Sequence, residues 1–111
     1  MSERDSRSLE LNEASRESYE KADAQLNRIY NRILNDHAGD KNFVEKLKAA
    51  ERAWIIFRDA QVNSIFYGDE QTRGSMHPTC NCMVLKQLTD DRIEMLRDLA
   101  AGRADMCSGG R

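Results

Sequence analysis

The chain has 111 residues, about one domain's worth, with 40% apolar and 32% charged side chains. Its 17 Lys and Arg against 19 Asp and Glu give a formal charge of −2, without the basic excess of a general nucleic-acid binder. No run of about 18 apolar residues is present to span a membrane, and six Gly with a single Pro are too few turn formers for an all-β protein; what is left is a soluble, helical, single-domain protein.

Residues 1–7 are charged and poor in apolar side chains, and are expected as a disordered tail. They contain no basic segment followed by an apolar stretch, so no signal peptide is visible. As it stands the sequence reads as cytoplasmic; a trimmed leader would make the protein periplasmic or secreted. From Ser8 to Asn35 the apolar residues Leu11, Tyr19, Ala22, Leu26, Ile29, Tyr30 and Ile33 recur at helical steps on one face. Ser8 can cap this first helix and Gly39 can stop it.

A second helix is expected over 41–66, capped by Asp40 or Asn42. Phe43, Leu47, Ala50, Trp54, Phe57, Gln61 and Ile65 form one stripe, broadened by Val44, Ile55, Val62 and Phe66. The window Ala53-Trp54-Ile55-Ile56-Phe57 is the most apolar in the chain, which predicts a central helix buried on several sides. Tyr67 to Thr79 lacks helical periodicity and holds Gly68, Gly74, Ser75 and Pro78. That connection has room for a short extra helix over 67–80. Met83, Val84, Leu88, Arg92, Met95, Leu96 and Leu99 then resume a helical stripe to Ala101, ended by Gly102, and 103–111 reads as a flexible tail. The expected fold is all-α, an antiparallel up-down-up bundle of three main helices in one domain over 8–102.

The stretch Ala50-Glu51-Arg52-Ala53-Trp54-Ile55-Ile56-Phe57-Arg58-Asp59 resembles the AQRAWIxFRD signature of the LprI-like family, known for a lysozyme-inhibitor N-terminal domain. Three further segments agree in order and spacing. Ala22-Asp23, Leu26-Asn27 and Tyr30 resemble a first-helix element. Gly74-Ser75 resembles a loop element, and Leu88-Thr89 with Arg92 and Leu96 resembles a last-helix element. The resemblance covers about residues 11–99. It implies an all-α, mostly exported protein with no catalytic activity or cofactor, and for some relatives inhibition of lysozyme. Family members usually carry cysteines that bridge the helices. In this sequence those positions are Ala14, Val62 and Val84, while Cys80, Cys82 and Cys107 lie elsewhere. Together with the absence of a visible signal peptide, this suggests folding in a reducing compartment.

Polar letters on the apolar helices need partners, because an unpaired buried charge is costly. Asp23, Asn27, Tyr30, Arg52, Arg58, Asp59 and Arg92 are therefore expected to form a structural polar network that fixes helix register. Trp54 and Tyr30 fall on core stripes. His77, Cys80 and Cys82 offer soft metal ligands within six residues, but zinc wants four, commonly from two separated pairs. The plainer expectation is an exposed loop with oxidisable thiols and no metal.

No phosphate-binding Gly-rich loop, H-E-x-x-H or G-x-S-x-G motif occurs. The two histidines, His37 and His77, are both expected in loops, so no catalytic residues and no cofactor are assigned. The long connection is the best contact surface, since long loops often carry function. Lysozyme works with two carboxylates in a cleft. Arg73 and Ser75 can donate hydrogen bonds to those carboxylates, Asp69 and Glu70 can meet a basic rim, and Gly74 lets the chain turn. The leading reading is a non-enzymatic domain that binds a protein partner, in the manner of a lysozyme inhibitor. The second is an intracellular helical interaction module without that activity. The third is a small metal- or redox-responsive domain using His77, Cys80 and Cys82.

Overall fold

The computed structural model describes residues 3–68 and 77–102. They form three helices in chain order: α1 Glu3–Asp36, α2 Lys41–Ile65 and α3 His77–Ala100. Neither α1 nor α2 contains Gly or Pro, so nothing interrupts the i→i−4 ladder of either. The start of α1 lies upstream of the expected Ser8 cap, because Glu3 to Arg7 holds no breaker residue. At 34 residues it is about 51 Å long, which accounts for most of the 60 Å long axis of the molecule.

The α1–α2 junction is held by side chains together with the backbone bonds from Ala38 N–H to Asn35 O at 3.3 Å and from Asp40 N–H to His37 O at 2.9 Å, without a left-handed glycine. His37 Nδ1 donates to the Ile33 carbonyl at 2.9 Å, a second hydrogen bond to an oxygen that already accepts from the His37 N–H at 3.1 Å. The His37 ring lies 4.4 Å from Phe43. Asp40 caps α2, its Oδ1 accepting from the Phe43 N–H at 3.1 Å. Gly39 does not adopt positive φ, so it is not the stop expected of it; that conformation belongs to Gly102 at the end of α3, with φ 74°. The Gly102 N–H bonds Leu99 O at 3.1 Å there.

The third helix begins six residues earlier than the stripe starting at Met83 suggested. Pro78 sits in its first turn, where a missing N–H costs nothing and a fixed φ helps. His77, Thr79, Cys80 and Cys82 are therefore helical, not loop residues. Of the connection expected over 67–80, residues 77–80 belong to α3 and 69–76 lie outside the described residues, as do Cys107 and the expected 103–111 tail.

α1 and α3 run parallel, with Thr79 Oγ1 donating to Asn12 Oδ1 near their starts and Ile33 beside Arg97 and Ala100 near their ends. α2 runs antiparallel to both, so the bundle is up-down-up. The core is Leu26, Ile33, Leu47, Ile93 and Leu96, with Ile29, Tyr30, Leu34, Phe43 and Trp54 packed against it. α1 and α3 lie closest, because Ala22 and the fully buried Thr89 are small enough to let two backbones approach.

α2 is thus the outer helix, not the central one. It meets the α1–α3 pair through larger side chains, Leu47, Glu51 and Trp54, at a greater distance. Its most apolar window is largely in solvent: Ile56 is 71% and Phe57 52% exposed, and Ile55 and Ile65 are also exposed. A three-helix arrangement has only one inward direction for each helix, and α2 carries more apolar residues than that direction can cover. No described helix is long and apolar enough to cross a membrane.

Candidate functional site

The polar side chains on the helices gather into two layers along the bundle. The first joins α2 to α3. Glu51 falls four residues after Leu47 and three before Trp54, which turns it inward. Arg92, three residues after the buried Thr89 and four before the buried Leu96, faces it. Arg92 Nε donates to Glu51 Oε1 at 3.0 Å, with the two side chains only 9% and 10% exposed. At that depth neither charge is tolerable without the other. Arg92 Nη2 is also buried and has no hydrogen-bond partner among the described residues. The Tyr30 hydroxyl feels the charges of this pair. Burial and then the Glu51 carboxylate raise its pKa above the ordinary tyrosine value, while Arg52 and Arg92 pull the other way.

The second layer draws on all three helices around Tyr19. Burial is the main cause that raises the Tyr19 pKa; Arg58 opposes it, and Asp23, Asp59 and Cys82 add to it. Arg58 reaches Asp59 Oδ1 from both Nε and Nη2 at 2.9 Å. Its guanidinium also lies over the Trp54 ring, 5.5 Å from the centroid, a cation–π contact on a face that is already partly dry.

The residues expected to form one network are therefore divided. Tyr30, Arg52 and Arg92 belong to the first layer, and Asp23, Arg58 and Asp59 to the second. Asn27 is exposed. Three members were not anticipated: Glu51, Tyr19 and Cys82. Glu51 carried a readable signal, since a carboxylate on an apolar stripe needs a cation, and Arg92 sits on the facing stripe. Cys82 is half-buried and Cys80 exposed, both as free thiols. Two positions apart on a helix, they project about 200° from one another, so the oxidisable thiols expected side by side in a loop point apart instead. No group of three or more His, Cys, Asp or Glu among the described residues is arranged to hold a metal ion.

The end of the molecule where α2 finishes and α3 starts is the most distinctive surface. Phe66 and His77 meet edge to face at 4.9 Å, so the chain leaving α2 and the chain entering α3 come together there. Beside this junction an apolar groove of about 350 Å³ runs between the two helices, lined by Gln61, Ile65, Met83, Val84, Gln87 and Leu88. Ile65 and Met83 on its walls are 45% and 61% exposed. The expected contact residues Asp69, Glu70, Arg73, Gly74 and Ser75 lie outside the described residues. His37 and His77 stand at opposite ends of the bundle, each packed on an aromatic ring at a helix junction. What this arrangement offers is an apolar groove at one end of the bundle, with Ile65 and Met83 exposed on its walls.

Residues 1–96 match the family model described as lysozyme inhibitor LprI. An uncharacterized protein of Rhizobium meliloti is 34% identical over 102 residues, an alignment that takes in 82% of this chain and 72% of that protein. No solved structure matches.

Proposed function

The chain belongs to the LprI family, and we propose that it acts as a non-enzymatic, protein-binding inhibitor of the lysozyme type. The family match over residues 1–96 is the observation that carries this reading. The end of the bundle supports it. Phe66 and His77 bring the end of α2 and the start of α3 together, which brings the two ends of the connection containing residues 69–76 close to one another. The adjacent groove, with Ile65 and Met83 exposed on its walls, supplies apolar area of the kind that anchors a protein interface. In this reading Arg73 and Ser75 donate to the carboxylates of the lysozyme cleft, Asp69 and Glu70 face its basic rim, and Gly74 permits the turn.

The test is a titration of lysozyme activity with the purified protein, paired with direct binding by calorimetry. Saturable loss of activity near one-to-one stoichiometry is expected. Arg73→Ala with Ser75→Ala should weaken inhibition about tenfold or more if these donors meet buried carboxylates, with helical content unchanged by circular dichroism. Inhibition unaffected by that pair of changes would remove the connection as the contact. No binding at high micromolar concentration would overturn the lysozyme reading and leave a helical interaction module for another protein.

A further inference from the structure

We propose that two copies of this chain associate through the outward face of α2, antiparallel, about a two-fold axis passing between Ile55 and Ile56. The inward face of α2 is fixed by Leu47, Glu51 and Trp54. At 100° per residue the opposite face is the line Ala49, Ala53, Ile56, Ala60, and all four are exposed. Ile56 at its centre is 71% exposed and the neighbouring Phe57 52%. Large apolar side chains left this open, rimmed by polar residues, mark an interaction site. The alanines on either side of Ile56 let a second helix backbone come close.

The charges identify the occupant as a second copy. Arg52 and Asp59 are seven residues apart, on the same edge of this face, and both are exposed. They are equidistant from the point between Ile55 and Ile56. In the antiparallel two-fold arrangement Arg52 of each copy therefore meets Asp59 of the other, and the pair forms twice. A parallel two-fold arrangement would put this edge of the two copies on opposite sides of the interface, so neither Arg52 nor Asp59 would meet its counterpart and the pair would not form. Arg58 engages Oδ1 of Asp59, which leaves Oδ2 to receive the second guanidinium. The face lies on the opposite side of α2 from the groove lined by Gln61 and Ile65, so self-association and binding at the groove are separate properties.

Sedimentation velocity across a micromolar concentration series tests this. The wild-type chain should pass from monomer to dimer as concentration rises. Ile56→Glu should remain monomeric throughout. Arg52→Asp and Asp59→Arg should each weaken association about tenfold or more, because the two-fold symmetry doubles every like-charge contact. The double variant Arg52→Asp with Asp59→Arg should restore it. All these positions are exposed, so circular dichroism should show unchanged helix in every variant. A wild-type monomer at high micromolar concentration overturns the proposal. So does a dimer that Ile56→Glu leaves intact, or a double charge swap that fails to restore association.

Discussion

The Glu51–Arg92 pair is the most demanding contact in the molecule. Two charges removed from water recover that cost only by meeting each other, and here one of the guanidinium nitrogens is buried without a hydrogen bond to the described residues. Glu51→Ala should therefore cost about 3–5 kcal/mol in urea denaturation, since it strands Arg92. Glu51→Leu combined with Arg92→Met should recover most of that loss, because two apolar side chains of similar size carry no desolvation penalty. A double variant as weak as the single one would mean that the pair contributes more than compensation. The tyrosines beside each polar layer give a second readout. Burial raises the pKa of Tyr19 and of Tyr30, so the folded state holds these protons more tightly than the unfolded chain. The resulting stability is fully present below the ordinary tyrosine pKa of about 10. It declines as pH rises from there through the raised values. Tyrosinate absorbance should show both groups ionising later in the folded protein than in denaturant, and Tyr19→Phe should remove part of the alkaline loss of stability. At this scale the sequence was half legible. Arg92, Arg58 and Asp23 were recognisable as polar residues on apolar helices, and so were their needs. Which of them meet was not, because pairing depends on the axial offset between helices, which no periodicity records.

At the level of the helices, local signals were more reliable for starts than for ends. Asp40 caps α2 through its own side chain, and a short polar acceptor before an apolar run is readable from sequence. The two glycines look alike in sequence and act differently. Gly102 takes the left-handed conformation that ends α3, whereas Gly39 does not: the chain leaves α1 through the backbone bonds from Ala38 N–H to Asn35 O and from Asp40 N–H to His37 O instead. A Cβ at Gly39 would meet nothing within 4 Å. Gly39→Ala should accordingly stabilise by about 0.4–1 kcal/mol through the unfolded state, and Gly102→Ala should destabilise by about 1 kcal/mol. Thermal melts of the two variants should move in opposite directions. The early start of α3 was hidden for a related reason. Gly74, Ser75 and Pro78 read together as a breaker cluster, yet Pro78 in a first turn promotes the helix that the same residue would break further in.

The whole molecule departs from expectation where apolar content was taken as a measure of centrality. The helix richest in large apolar residues is the outermost, and the closest pair, α1 and α3, is held together by small side chains, Ala22 and Thr89, set among Leu26, Ile93 and Leu96. Composition predicts how much surface a helix could bury, whereas interaxial distance depends on how small the contacting residues are. One consequence is an uneven distribution of stability. α1 and α3 should open only with global unfolding, since their shared seam contains most of the buried core. α2 is attached mainly through Leu47, Glu51 and Trp54, and its second half adds the partly open groove lined by Gln61 and Ile65 toward α3, with the ring contact of Phe66 on His77 beyond it. Native-state hydrogen exchange should therefore show residues 55–65 opening at a lower free energy than the α1–α3 seam, with residues 47–54 intermediate. Glu51→Ala should lower the protection of α2 more than that of α1. Uniform protection across all three helices would mean that the outer helix is as tightly coupled as the inner pair. A rise in protection of residues 52–60 with protein concentration would have a separate origin, since only association across Ile56 makes exchange at those amides depend on a second copy.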